Sequence, residues 1–163
     1  MCSSDLNMND GRERGRITGH RDTIRSLAYH EPTGVLFSAS EDATILAWDV
    51  KSLKHSPLTS PEGLRNPRKE DGSRPRWIRQ LAIESDGTSL IGAYFGGMFV
   101  QWDVRPERFG KVLAHYENES MIRSTCRVAD PNGSDLVLFG MEDGQILVVP
   151  RFRPTERLAT LRG

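Results

Sequence analysis

The sequence predicts an all-β fold made of small antiparallel sheets in tandem repeat, and three observations carry that prediction. Thr44 to Val50 reads Thr-Ile-Leu-Ala-Trp-Asp-Val, and its Trp48-Asp49 pair returns as Trp102-Asp103 behind Met98-Phe99-Val100-Gln101. With Asp42, six residues before Trp48, as anchor, the same offset gives Gly96 before Trp102 and Asp143 before Val149. Three segments therefore align at spacings of 54 and 47 residues. Within each, runs of strand-forming residues alternate with turn residues.

The elements follow in order. Each segment opens on a first strand beginning Ile-Arg, at Ile24, Ile78 and Ile122. A turn follows at Glu31-Pro-Thr-Gly34, Ser85-Asp-Gly87 or Asp130-Pro-Asn-Gly133, then a second strand ending near Ser40, Tyr94 or Met141. The next turn, Glu41-Asp-Ala43, Phe95-Gly-Gly97 or Glu142-Asp-Gly144, leads into the third strand, which ends at Trp48, Trp102 or Val149. Gly, Asn and Asp suit both turns because a tight hairpin backbone visits positive φ, which branched side chains resist. A fourth strand is expected between segments, at Arg14–Thr18, Lys111–Ala114 and Arg157–Leu161. Four antiparallel strands recurring near a spacing of about 40–45 residues describe a propeller blade.

Bulk properties narrow the function classes. The 22 basic and 22 acidic side chains cancel, so no global field favours nucleic acid or an anionic membrane. No run reaches the roughly 18 apolar residues of a membrane span, and the N-terminus lacks the apolar stretch of a secretory signal. Cys2 and Cys126 lie far apart and do not read as a disulfide framework. There is no CxxC, HExxH, GxGxxG or phosphate-cradling loop, so no metal and no cofactor is expected. His20, His30, His55 and His115 are scattered and read as surface or structural residues.

On these residues the chain resembles the WD40-repeat β-propeller family over roughly Arg14 to Gly163. The first unit carries the most specific part, Gly19-His20 opening and Trp48-Asp49 closing, 28 residues apart. The resemblance implies a hydrogen-bonded network of His20, Ser38 (or Ser40 on the same face), Asp42 and Trp48. The other units depart from it, with Arg74 and Asn118 at the histidine position, Gly92 or Tyr94 and Phe139 or Met141 at the serine positions, and Val149-Pro150 in place of Trp-Asp. Their blades are expected to rely on apolar packing by residues such as Leu81, Ile83, Leu90, Ile91, Val100, Val137, Leu138, Ile146 and Val148.

The expected organisation is an open fragment of about three four-stranded blades. Residues 1–6, Met-Cys-Ser-Ser-Asp-Leu, are what a sequencing-adapter end read from a GTG start would encode, and are set aside as an artefact. Residues 7–13 are expected to be disordered, and 14–163 to form a partial propeller. Its repeats fall at about 14–50, 74–104 and 111–150, with a final outer strand at 156–162. Residues 52–73 read as a long polar loop between blades, within which Leu53 or Leu58 could supply a poor fourth strand. Propellers commonly close with about four to eight blades, so three would leave two apolar flanks open and the isolated piece unstable or oligomeric.

Each first strand places an arginine after its isoleucine: Arg25, Arg79 and Arg123. In the family this position looks toward the top-face opening, which implies a rim of guanidinium groups suited to a protein or peptide partner that is acidic or phosphorylated. Glu41 and Glu142 could neutralise Arg25 and Arg123 as ordinary rim ion pairs, whereas Phe95 takes the glutamate's place beside Arg79. A triad of Asp22, His20 and Ser26 or Ser38 lacks any strained nucleophile turn, so no catalytic residue is expected. The expected function is a non-catalytic protein–protein interaction scaffold, a fragment of a larger, cytoplasmic WD40-repeat protein whose remaining blades are its partners, with no nucleic acid and no membrane. The alternative is the regulatory or substrate-binding propeller region of a larger signalling enzyme, such as a bacterial Ser/Thr protein kinase.

Overall fold

In the computed structural model, residues 3–6, 13–58, 77–84, 87–117, 120–129, 135–150 and 159–162 are described. A hairpin of β1 (Ser3–Leu6) and β2 (Glu13–Ile17) leads the chain. The first four-stranded sheet then runs β3 (Ile24–His30), β4 (Val35–Ser40), β5 (Ile45–Asp49) and β6 (Lys54–Pro57). The second runs β7 (Ile78–Ile83), β8 (Ser89–Tyr94), β9 (Met98–Asp103) and β10 (Val112–Glu117). The third runs β11 (Ile122–Ala129), β12 (Asp135–Met141), β13 (Gln145–Pro150) and β14 (Ala159–Arg162). In every sheet, spatial order equals chain order and all neighbours are antiparallel. These are blades of an open β-propeller.

Alternation along the strands sends successive side chains to opposite faces. Phe37, Ala39, Ile45 and Ala47 of the first sheet meet Ile78, Leu90, Val100 and Trp102 of the second in one core. Ile91, Ala93 and Phe99 on the second sheet's other face meet Ile122, Val137, Phe139 and Leu147 of the third. Phe99 and Phe139 stack there with centroids 4.6 Å apart. Full burial of one such side chain contributes roughly 1.5–3 kcal/mol, so these two interfaces supply most of the stability available to sheets too small to bury either face alone.

Hydrogen bonds fix how one sheet steps to the next. Ser26 Oγ on β3 accepts the Leu81 backbone N–H of β7 at 3.0 Å. One sheet further on, Gln80 Oε1 accepts the Thr125 N–H of β11 at 2.9 Å. Ser26 and Gln80 are equivalent in the repeat, as are Leu81 and Thr125, so the same bond is made twice. At the opposite edge, His30 Nε2 donates to Gly87 O at 2.7 Å, which leaves Nδ1 to accept the Thr33 hydroxyl at 2.6 Å.

The turns explain why aspartate follows tryptophan. Asp49 Oδ1 accepts the Lys51 N–H at 2.9 Å, and Asp103 Oδ1 accepts the Arg105 N–H at 3.0 Å. Each carboxylate thereby shapes the connection to the fourth strand as an Asx turn. Buried Asp103 is also clasped by the Arg105 guanidinium at 3.0 and 2.6 Å, with Arg108 Nε at 3.4 Å. The Arg105 hydrogen bond holds its carboxyl below the usual range, against the upward push of burial.

Several expectations need correction. The stretch 52–73 is not wholly loop: β6 occupies 54–57, between the two leucines offered for a poor fourth strand, and Leu58 follows it into the first core. Its four residues are exposed and polar, so periodicity gave no sign of it. Backbone pairing to β5 makes it a strand. Residues 3–6, set aside as adapter-derived, pair as β1 with β2. β2 begins at Glu13, inside the stretch expected to be disordered, while 7–12 lie outside the described residues. The fourth strands sit slightly later than expected, at Val112–Glu117 and Ala159–Arg162. Arg74, Asn118 and residues 59–76, 130–134 and 151–158 lie outside the described residues. Ile146, expected in a core, is 40% exposed on the outer flank of the third sheet, as is Val128 at 43%. The outer flank of the first sheet likewise exposes Leu27 (50%) and Tyr29 (53%).

Ala43 holds φ +65° where the equivalent turn positions carry Gly97 (+90°) and Gly144 (+79°). A Cβ costs roughly 1 kcal/mol in left-handed backbone. Ala43→Gly is therefore expected to stabilise the protein by about 1 kcal/mol, read as a higher midpoint in urea unfolding.

Candidate functional site

The first blade closes on a directed chain of hydrogen bonds. Trp48 Nε1–H can only donate, and it donates to Ser38 Oγ at 2.7 Å. Ser38 then spends its own proton on His20 Nε2 at 2.6 Å. That leaves His20 Nδ1 as donor, facing Asp42 Oδ2 at 3.0 Å with Thr44 Oγ1 also at 3.0 Å. Asp42 ends the chain as acceptor, taking the Thr44 hydroxyl at 2.6 Å and the backbone N–H groups of Arg21 and Thr44 at 2.8 and 2.9 Å. Burial pushes the Asp42 carboxyl up, but these donors together outweigh it and hold the group below its ordinary value of 3.8. Ser40 takes another part: its Oγ donates to Asp22 O and accepts the Asp42 N–H, both at 3.1 Å.

Close packing around the indole explains the glycine before His20. A Cβ on Gly19 would come within 2.7 Å of Trp48 Cη2. The His55 ring covers the indole from β6 with centroids 4.4 Å apart. In the second blade a glycine replaces the serine: a Cβ on Gly92 would meet Trp102 Cζ3 at 2.9 Å, so the indole lies directly on β8.

Ser38, His20 and Asp42 thus share the connectivity of a nucleophilic triad. Their setting is different. Ser38 is buried, its oxygen already accepts the Trp48 N–H, and its proton is held in the chain, so no carbonyl can reach it along an attack path. Asp22 and Ser26 are engaged elsewhere, Asp22 with Thr23 and Ser26 in the inter-sheet bond.

The second candidate is the sheet edge that carries the turns at Glu41, Phe95 and Glu142. Arg25, Arg79 and Arg123 each occupy a β-bulge, where pairing slips between Ile24 and Ser26, Ile78 and Gln80, and Ile122 and Ser124. A bulge inserts an unpaired residue and re-aims its side chain, which turns all three exposed arginines out along this edge. Arg25 pairs with Glu41, and Arg123 pairs with Glu142. Arg79 has no carboxylate partner among the described residues; its Cζ lies 5.8 Å from the Phe95 ring centroid, and that of Arg123 lies 5.4 Å away. Phe95 is half-buried rather than fully exposed, because it stacks on Trp77 at 5.3 Å and its N–H donates to Trp77 O at 2.8 Å.

Sequence reasoning missed Trp77, the bulges and Thr44. The repeated Ile-Arg-polar triplet was a usable signal for the bulge and the inter-sheet bond. Thr44, two residues after Asp42, was legible as an Asx-turn partner. Trp77 precedes the aligned isoleucine, and nothing in its spacing marked it.

Comparison with known proteins bears on the fold that carries both features. The repeat described as "WD domain, G-beta repeat" matches residues 11–49. WD repeat- and FYVE domain-containing protein 4 of Homo sapiens is 26% identical over 155 residues, covering 91% of this chain and 4% of that protein. U3 snoRNP-associated protein-like YAO of Arabidopsis thaliana is 32% identical over 111 residues, covering 63% of this chain and 22% of that protein. Among solved structures, the RRP9 WD40 repeats superpose with a TM-score of 0.68 at 20% identity, over 90% of this chain and 41% of that one. The chain therefore spans less than half the length of each of these proteins.

Ser38→Ala leaves the Trp48 N–H and His20 Nε2 without their shared partner, at roughly 1–3 kcal/mol for each buried group. The expected loss of stability is on the order of 3 kcal/mol in urea unfolding, and a loss below that of Ser40→Ala would contradict the ordering of the chain. Asp42 binds its proton less readily folded than unfolded, so its contribution is complete above pH 3.8 and is lost as pH falls through the lower folded value. The stability gap between the native protein and Asp42→Asn is accordingly expected to stay constant from neutral pH down to that point and to shrink below it, in pH-resolved denaturation.

Proposed function

We propose that this chain, whose residues 11–49 match the WD40 repeat and whose fold is that of WD40 domains, is a non-catalytic platform for protein–protein interaction whose docking face is the rim bearing Arg25, Arg79 and Arg123. One observation carries the reading: three bulges, one per sheet, aim three guanidinium groups along the same edge. Arginine's planar fork takes carboxylate or phosphate bidentately, so the partner is an acidic or phosphorylated protein segment. The buried chain from Trp48 to Asp42 serves this role indirectly, by tying the loop before β3 to β4 and β5 so that the rim is rigid.

Further blades belong with this platform. Ser124 holds the place of Ser26 and Gln80 but lies exposed on the third sheet's outer flank, ready to accept an N–H from a following sheet. The exposed Leu27 and Tyr29 on one flank, and Val128 and Ile146 on the other, are apolar surface of the kind that blades cover in the two interfaces described. A region of a larger protein is also favoured by the human relative, whose name prints a FYVE domain beside its WD repeats. No helix among the described residues is long and apolar enough to cross a membrane. A cytoplasmic site rests on the sequence, whereas the name of the Arabidopsis relative favours attachment to a particle.

Photo-crosslinking tests the face. Benzoylphenylalanine in place of Arg21 or Glu142, on the rim, is expected to capture protein partners in cells of the source organism. The same group in place of Lys51, at the opposite edge, is expected to capture none. Crosslinks confined to position 51 would refute the assignment.

A further inference from the structure

Resting on the reading of the rim as a docking face, we infer that the cleft between the first and second sheets is a two-part site for a peptide segment that carries an apolar side chain next to an anionic one. The cleft holds about 240 Å3 and is lined by Arg25, Glu41, Trp77, Ile78, Arg79 and Phe95. That is smaller than the roughly 300–1,000 Å3 of most small-molecule sites and suits one or two side chains.

Its apolar half is built in advance. Trp77 and Phe95 stack at 5.3 Å with 26° between their planes, and the Phe95 N–H to Trp77 O bond locks the two backbones together. Both rings remain half-exposed, whereas Trp48 and Trp102 are 4% and 1% exposed. Leaving a stacked indole at the surface forgoes burial that the other two indoles obtain, and rigid aromatic surface costs a partner little ordering entropy.

The anionic half is Arg79. Within the cleft, Arg25 and Glu41 neutralise one another, so the net charge beside the rings is that of the Arg79 guanidinium. Its approach to the Phe95 ring, shared with Arg123, holds the cation against the aromatic surface. An apolar group seated on Trp77 and Phe95 would bring the adjoining residue of a peptide to that cation. Carboxylate and phosphoryl groups share the required chemistry. Among the described residues that line the cleft, one cation without a carboxylate partner does not make a phosphate track, which favours a protein segment over single-stranded RNA.

Trp77 fluorescence reads the site directly, since the other two indoles are buried. The whole chain would be titrated with the blocked peptides Gly-Leu-Glu-Gly, Gly-Leu-phosphoserine-Gly, Gly-Leu-Gln-Gly and Gly-Gly-Glu-Gly, and with an oligouridine octamer. Both leucine peptides bearing an anion are expected to bind at least tenfold more tightly than the glutamine or glycine controls, and their rank separates carboxylate from phosphoryl. Arg79→Gln is expected to remove that advantage, bringing the anionic leucine peptides down to the level of Gly-Leu-Gln-Gly, with the circular-dichroism spectrum unchanged. Phe95→Ala is expected to weaken the leucine peptides down to the level of Gly-Gly-Glu-Gly. Equal affinity for all peptides, indifference to Arg79→Gln, or tighter binding of the oligouridine overturns the proposal. Peptide failure with crosslinks still formed at positions 21 and 142 sinks the cleft alone; loss of those crosslinks sinks the docking face as well.

Discussion

Phe37 and Ile45 of the first sheet press against Ile78 and Trp102 of the second, and Ile91 and Phe99 on the reverse of the second press against Phe139 and Leu147 of the third. A four-stranded sheet of four- to eight-residue strands has no core of its own, so each must borrow a face from its neighbour. Every other feature is arranged around that dependence. The Ser26 and Gln80 bonds repeat at equivalent positions because apolar contact alone is not directional, and directed hydrogen bonds across each junction set the step from sheet to sheet.

Polar groups inside such a stack need hydrogen-bond partners, and the blades differ in how they provide them. The first blade links indole, hydroxyl, imidazole and carboxylate in a single donor-to-acceptor sequence that leaves none of the linking polar atoms idle. The second removes the hydroxyl, setting Gly92 under Trp102 so that ring and strand meet in van der Waals contact. It keeps a separate buried cluster at the other end of the sheet, where Ser89 donates to Glu84 and the Gln101 amide reaches Glu84 Oε2 at 3.2 Å. The third dispenses with tryptophan altogether and buries Val149 against Phe99's sheet. One backbone plan thus tolerates three different interiors, because the faces between blades carry most of the free energy.

The rim follows from the same geometry. A bulge at the start of each first strand costs one ladder position and gains an outward arginine, and stacked sheets bring successive bulges to one edge. Two of the arginines are answered by glutamates at the neighbouring turn, surface pairs worth little to stability. The middle one faces two aromatic rings instead. Chemistry at the rim therefore varies from blade to blade while the scaffold does not.

Residue order alone determined the repeat. Trp48-Asp49 and Trp102-Asp103, the Ile-Arg starts and the glycine-bearing turns fixed strand order, sheet number and the two faces, because these depend on local turn chemistry and a period of two. The resemblance carried by Gly19-His20 and Trp48-Asp49 implied a network of His20, Ser38, Asp42 and Trp48 within one unit. Tertiary structure decided what crosses between units. Lys54–Pro57 became a strand despite a polar, exposed sequence, since its pairing energy lies in backbone bonds to β5 that side-chain pattern does not encode. The approach of Arg123 to Phe95 also waited on the fold, because the contacts between β7's sheet and β11's depend on the angle at which the sheets stack, a quantity that local sequence does not carry.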